Sequence, residues 1–399
     1  MVHHYRNALA ITSQFYFCGI PFRLDSAPKC TLNCAYCFAM SRGGRRSSLD
    51  LLVEPQRIRN LLYRSVVKSD TELSVNTYFL KYKMPVHFGG MSDPFSNRVV
   101  ASKSKQLLRI LCEFDYPTVL STKNVFELCK EETIAILKKF KHLIIQISIS
   151  SPSEIAAWIE PSTPSPQDRI QALKMLAQEG LYTMGRIQPL IPNQIEYISS
   201  ELIPSLCEVG TKHVIVEFLK LPLEQNISRT SQFIKNLGWD VERYYRDSQA
   251  IRAGREWVLL PSYKWELIQT IVDSIHTYGM TYGAGDYGLN HLGDTDCCCG
   301  LDRVEGFSGY FKSNFSYIIR KRNSTYVLWN DQILSSLPNI SIREYLNSNC
   351  RVEGAYTISD YLKLKWNRPG TENAPDTFLG VTWSGEYDES GNCVYRYNQ

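Results

Sequence analysis

The chain has 399 residues, 44% of them hydrophobic and 21% charged, which is enough for a full core in one extended domain or in two. A formal net charge of +4 falls short of the clustered basic excess that marks a dedicated nucleic-acid-binding domain. No apolar run reaches bilayer length and Met1 to Arg6 lacks the core of a secretory signal, so a cytoplasmic protein with no membrane partner is expected.

In chain order, the first predicted strand is Ile20 to Leu24, and it delivers the chain into a loop rich in cysteine. Val53 to Val66 reads as a helix, with Val53, Ile58, Leu61, Leu62 and Val66 on one side. Met84 to Phe88 is a second strand that ends in Gly89-Gly90. A helix over Ser102 to Phe114, a strand over Thr118 to Ser121 and a helix over Glu131 to Phe140 follow. Leu143 to Ser150 is the clearest strand, and Pro166 to Glu179 is a helix closed by Gly180. Leu181 to Gln188 and His213 to Phe218 complete six strands alternating with helices, the pattern of a parallel α/β sheet and, here, of a partial (β/α)6 barrel. The barrel is expected over residues 1–221, with chemistry at the C-terminal ends of its strands. Residues 222–399 form a C-terminal extension with a linker near 222–230, a helix over Trp265 to Tyr278 and a hairpin turn near 386–392.

Twelve cysteines in a long chain without a signal point to metal ligation in a reducing compartment rather than to disulfides. Cys30-Thr-Leu-Asn-Cys34-Ala-Tyr-Cys37-Phe38 is the sharpest motif. Three thiolates in one loop can hold three irons of a cubane cluster and leave the fourth iron open to a small molecule. Zinc is the rival, but it wants a fourth ligand, and no Cys or His pair follows within the next forty or so residues.

This spacing, with Tyr36 and Phe38 in place, resembles the radical S-adenosylmethionine (SAM) superfamily. The later strand ends sharpen the likeness: Phe88-Gly-Gly-Met-Ser92-Asp93-Pro94, then Ser121-Thr122-Lys123, then Glu160-Pro161 with Arg169, then Gly185-Arg186. Taken in order over residues 20–220 they are similar to the spore photoproduct lyase-like, or DNA-repair-photolyase-like, branch. The resemblance implies that Cys30, Cys34 and Cys37 ligate a 4Fe-4S cluster and that Tyr36 lies beside the adenine of SAM. It implies that Gly89 and Gly90 meet the methionine end of SAM, that Ser92 and Lys123 contact its polar groups, and that Ser148, Ser150 and Arg186 contact ribose or carboxylate. Arg186 can equally form a salt bridge with Glu217. An electron donor such as flavodoxin or ferredoxin, a macromolecular substrate and a substrate-delivery protein are the partners implied. The sequence departs from the lyase at one place: the lyase's hydrogen-donating cysteine sits two residues before the Ser of the second motif, and here that residue is Gly90.

Cys297-Cys298-Cys299 is outside this resemblance. In an extended segment Cys297 and Cys299 would share one face. Three readings stand: an auxiliary iron–sulfur cluster with Cys350 or Cys393 as a further ligand, a catalytic thiol (Cys298 or Cys299) near Tyr282 and Tyr287, or buried free thiols. Cys18, Cys112, Cys129 and Cys207 sit in apolar runs and read as core. Arg42, Arg45 and Arg46, and Arg320-Lys321-Arg322, are basic patches that can face solvent or a polyanion. The expected function is hydrogen abstraction from a macromolecule by a radical SAM enzyme, with a peptide or protein preferred and nucleic acid as the alternative. A metal-binding regulatory module without catalysis is the non-enzymatic rival.

Overall fold

In the computed structural model, residues 4–398 are described, except 13, 15, 38, 40–50, 70–72, 223–236, 254–255, 287, 308–311, 335–336, 338, 343–354 and 372–373. The main sheet has eight strands. These are β1 (Leu9–Ile11), β2 (Phe22–Leu24), β3 (Val86–Phe88), β4 (Thr118–Thr122), β5 (Leu143–Ser148), β6 (Thr183–Leu190) and β7 (His213–Phe218). A small antiparallel sheet of β8 (Leu221–Pro222), β9 (Ile251–Ala253) and β10 (Glu256–Val258) intervenes before the eighth strand, β11 (Thr281–Ala284). Strand order in the main sheet is β1-β2-β3-β4-β5-β6-β7-β11, and β4 through β7 pair in parallel. The α/β partial-barrel expectation is borne out, with eight strands in place of six. β11 escaped prediction because Thr-Tyr-Gly-Ala is short and carries a glycine, which weakens a strand signal.

The described residues fall into two units, one drawn from 1–8, 24–55 and 88–282, the other from 9–23, 56–87 and 283–399. In the first, β5 is buried along its whole length, as a parallel strand covered on both faces requires. The helix Arg98–Glu113 starts at Asn97, whose side chain accepts from the Val99 and Val100 amides at 3.0 Å each, and it buries Val100, Leu107, Leu108 and Leu111. The helix Pro166–Gln178 begins with a capping box of Ser165 and Asp168 and ends before Gly180 at φ +77°. Residues 195–208, where no helix was expected, form a helical run with a π turn at Ile198–Leu202. Pro204 lies just beyond that turn, and its missing N–H and its ring disturb a regular ladder.

The second unit has its own aromatic core. Trp366 meets Phe315, Trp329 and Tyr395 edge-on at 5.3, 5.5 and 5.0 Å. Its three-stranded antiparallel sheet, in the order β12-β14-β13, joins β12 (Tyr326–Val327) and the expected hairpin of β13 (Val381–Tyr387) and β14 (Cys393–Tyr397). Asp388 closes that hairpin by accepting from the Ser390 and Asn392 amides at 2.9 and 2.8 Å. Residues 223–230 of the expected linker and Arg42, Arg45 and Arg46 lie outside the described residues. Among the described residues no helix is long and apolar enough to cross a membrane.

Candidate functional site

After β3 the chain turns at Gly89, φ +95°, where a Cβ would lie 2.5 Å from the Ser121 carbonyl oxygen; only glycine fits. The Gly89 amide donates to the Leu24 carbonyl at 3.0 Å. Asp25 accepts from the Met91 and Ser92 amides at 2.8 and 3.2 Å, and the Ser92 hydroxyl donates to the Ala27 carbonyl at 2.6 Å. The loop after β3 is thereby stitched to the segment that enters the cysteine loop. Ser92, expected to meet SAM, spends its hydroxyl on that stitch.

The cysteine loop turns through Asn33 at φ +54°. The Leu32 amide points at the Cys30 sulfur (3.5 Å), the Cys37 amide donates to the Cys34 carbonyl (3.2 Å), and the Ala35 amide donates to the Ile159 carbonyl (2.8 Å). Cys34 is buried, Cys30 and Cys37 half-buried. Burial, and then the neighbouring Asp93, push the Cys30 thiol up to about 12. Burial and then Glu160 raise the Cys34 thiol well above its ordinary value against the pull of Lys123, and the Cys30 and Cys37 sulfurs add their own repulsion. Metal binding here must therefore take protons from buried thiols that repel one another once ionised. Among the described residues no three His, Cys, Asp or Glu side chains converge tightly enough for a single ion. A cubane asks something else, that each sulfur serve a different iron, and three mutually repelling thiols on one loop fit that demand.

Glu160 is the hub beneath this loop. Its carboxylate, buried to 2% exposure, accepts from the Tyr36 hydroxyl, pairs with Lys123 at 3.0 Å and with Arg169 at 2.5 Å. Arg169 is fully buried and also donates to the Pro164 and Ser148 carbonyls at 2.9 Å each. One carboxylate thus ties the cysteine loop, the end of β4, and, through Arg169, the end of β5. Lys123, expected to face a SAM carboxylate, is held by Glu160 and stands 5.5 Å from the Tyr36 ring centroid. Burial lowers its ammonium to about 8, against the opposing pull of Cys34. Asp93, half-buried, accepts from the Lys123 amide at 2.6 Å, the Phe95 amide at 2.8 Å and the Thr122 hydroxyl at 2.9 Å, fixing the loop after β3 against the end of β4. Sequence reasoning quoted Glu160, Arg169 and Asp93 within motifs but gave them no role. The signal was there for Arg169, which shares a helix face with Ala172, Leu173 and Leu176, and a charge on an apolar stripe needs a buried partner.

Around the same strand ends, Ser148 is buried, and the Ser150 and Ser151 hydroxyls are buried with no hydrogen-bond partner among the described residues. Arg186 donates through Nε to Gln188, Gln188 donates to Glu217, and Glu217 pairs with Lys220. The expected Arg186–Glu217 contact is thus relayed through Gln188. Gly90 has no positive φ, and it presents no side chain.

In the second unit, residues 297–300 form a turn rather than an extended segment, because Gly300 takes φ +59° and its amide returns to the Cys297 carbonyl at 2.9 Å. The Cys298 and Cys299 sulfurs come within 3.9 Å, so the alternation expected of an extended strand does not hold. Cys393 is buried in β14, its carbonyl accepting from Trp366, and Cys350 and Tyr287 lie outside the described residues. Tyr282 is fully buried in β11. The late basic patch is spent internally: Arg320 donates to the Gly293 and Asn290 carbonyls, Lys321 pairs with Asp296 at 2.9 Å, and Arg322 stacks on Tyr397.

No family model matches the chain. It is 24% identical over 261 residues, 63% of its length, to the Radical SAM Nalpha-GlyT isomerase of Pseudomonas phage M6, of which it covers 51%. It is 28% identical over 182 residues, 43% of its length, to an uncharacterized protein of Methanocaldococcus jannaschii, of which it covers 66%. The chain thus spans about half to two thirds of the length of these curated relatives. A spore photoproduct lyase variant solved with bound AdoMet and dinucleoside spore photoproduct superposes with TM-score 0.52 at 14% identity, covering 70% of this chain and 80% of that one. Another lyase variant gives TM-score 0.50 at 16% identity, over 69% and 79%. The resemblance read in the sequence is borne out: this chain has the radical SAM fold in the form of its spore photoproduct lyase-like branch.

Proposed function

We propose that the chain is a radical SAM enzyme that isomerises a group carried on nucleic acid. When bound, a 4Fe-4S cluster and SAM supply a one-electron reductive cleavage that yields a 5′-deoxyadenosyl radical. Cys30, Cys34 and Cys37 would hold three irons. The resemblance would bring the methionine end of SAM against the Gly89-Gly90 backbone, and the unpartnered Ser150 and Ser151 hydroxyls are buried polar groups in want of a ligand. Glu160 and Arg169 hold the cysteine loop in register with the ends of β4 and β5. An external one-electron donor of the flavodoxin or ferredoxin class would be required.

The observation that carries the reading is Gly90. A lyase or reductase of the like kind quenches its product radical with a hydrogen atom from a side-chain thiol at this position, and Gly90 has no side chain to carry one. An isomerisation leaves in the product every hydrogen that the substrate had, so it needs no donor thiol here. An isomerase among the relatives supports this class of reaction, and the dinucleoside bound by the lyase of like fold supports a nucleic-acid substrate. The peptide preference of the sequence has no comparable support in the geometry of the site.

The test supplies the reduced, reconstituted protein with SAM deuterated at its 5′ carbon and with no substrate, with DNA fragments from the source organism, or with a peptide digest of its proteome, and reads deuterium in the substrate by mass spectrometry, because an isomerisation must return the abstracted hydrogen from the 5′ position. Deuterium in DNA is expected. Deuterium in peptides and not in DNA would return the substrate to the peptide class, and neither deuterium transfer nor 5′-deoxyadenosine release under any condition would favour a metal-binding module without catalysis.

A further inference from the structure

We infer that Cys18, Cys297, Cys298 and Cys299 form a second metal centre, one that takes an iron–sulfur cluster, within the second unit. All four residues belong to that unit, although 278 positions separate Cys18 from the nearest of the others in sequence. Cys18 lies within electrostatic reach of the Cys298 sulfur, as do Cys297 and Cys299. Asn314, at the start of the helix Phe315–Arg320, reaches back to the Cys18 carbonyl at 3.5 Å, and the Phe315 amide donates to the Tyr16 carbonyl at 2.8 Å. These bonds hold the Cys18 segment against the helix that carries Arg320.

Burial raises the Cys297 thiol well above its ordinary value, and the neighbouring Cys299 with burial raises that of Cys298, yet amide donors are aimed at sulfur here. The Ile20 amide donates to the Cys18 sulfur at 3.3 Å, and the Leu301 and Cys299 amides point at the Cys297 sulfur. Amide donors aimed at sulfur stabilise the charge that metal ligation leaves there and set a cluster's potential. Arg320, half-buried and bonded through its terminal nitrogens to the Gly293 and Asn290 carbonyls, lies beside Cys297 and Cys298, and its Nε is buried with no hydrogen-bond partner among the described residues.

Nuclearity follows from spacing. The 3.9 Å between the Cys298 and Cys299 sulfurs is close to the edge of a tetrahedron about one metal, about 3.8 Å for a metal–sulfur bond of about 2.3 Å. Yet among the described residues no three ligands are gathered tightly enough for a lone ion, here as at Cys30, Cys34 and Cys37. A cluster distributes its ligands over several irons, with Cys298 and Cys299 close enough to share one and Cys18 and Cys297 available to others, and so satisfies both facts; a single zinc does not. On binding, each ligating thiol releases its proton to solvent, and no electron need be transferred.

The test uses the full-length Cys30/Cys34/Cys37→Ala variant, reconstituted anaerobically with iron and sulfide, with circular dichroism to confirm folding. It is expected to keep bound iron and acid-labile sulfide and to show a cluster signal by electron paramagnetic resonance after reduction. Adding Cys18→Ser should then weaken iron retention by about tenfold or more. A readout independent of that added variant is alkylation with mass spectrometry: Cys18 and Cys297 to Cys299 should be protected before chelation and modified after it, while Cys112 and Cys207 should not change. A folded triple variant with no iron, one that holds zinc alone, or equal alkylation before and after chelation would each overturn the inference.

Discussion

A single carboxylate organises the first site. Glu160 pairs with two cations and accepts from Tyr36, which sits between Cys34 and Cys37, so its charge, not only its shape, is needed. Glu160→Gln keeps the volume and leaves Lys123 and Arg169 uncompensated in a dry site, a change that costs about 3–5 kcal/mol when one partner of a buried pair is removed. The urea midpoint should fall accordingly, and iron retention should fall with it because the loop loses its anchor. Tyr36→Phe removes one charge-assisted hydrogen bond and should cost about 1.5–3 kcal/mol with the cation network intact. Equal midpoints for wild type and Glu160→Gln would show that the ion pairs contribute nothing net. These residues also mark what the sequence made legible. The cysteines and the two glycines could be singled out because the chemistry expected of them depends on identity and spacing. Glu160 and Asp93 could not, because their role arises from what the fold brings to them across 124 and 29 positions, from Tyr36 and from Thr122.

At the level of elements, the turn after β3 is the tightest point of the site. Gly89→Ala would place a methyl 2.5 Å from the Ser121 carbonyl and force an L side chain into φ +95°. The cost should be on the order of 1–3 kcal/mol of strain before any clash is counted, read as a lowered melting temperature of the metal-free protein. Gly90→Ala, without positive φ, should be much milder, and equal effects would refute the assignment of strain to one glycine. The β14 hairpin offers a second case. His291 packs edge-on against Tyr397 at 5.5 Å and fills the space where a Gly380 side chain would be. Burial, with Arg320 and Arg322 nearby, lowers its imidazole to about 4 from an ordinary 6.5. The unfolded chain therefore binds the extra proton more readily between those values. Its contribution to stability is complete above about pH 6.5 and is lost as pH falls toward 4. The urea midpoint should drop between pH 7 and pH 4.5, and His291→Leu should flatten that part of the profile.

For the molecule as a whole, strand count and linkage were less legible than the barrel itself. β5 announces itself by an unbroken apolar run, whereas β11 depends on pairing with β7, and no local pattern encodes that. Charge was the most misleading feature. Arg320, Lys321 and Arg322 look like a basic patch in sequence, yet backbone carbonyls, Asp296 and Tyr397 engage all three. With a net charge of only +4 and that trio engaged, a nucleic-acid substrate must be gripped through few phosphates. Neutralising about three phosphates of a single strand gives a slope of about −2 for log K against log salt, hence a loss of roughly 20-fold between 50 and 200 mM. Fluorescence anisotropy with a labelled single-stranded oligonucleotide measures this directly. A slope several times steeper would reveal a basic surface outside the described residues. No binding even at low salt would remove the nucleic-acid substrate while leaving both cysteine sites untouched, because their tests read metal rather than polyanion.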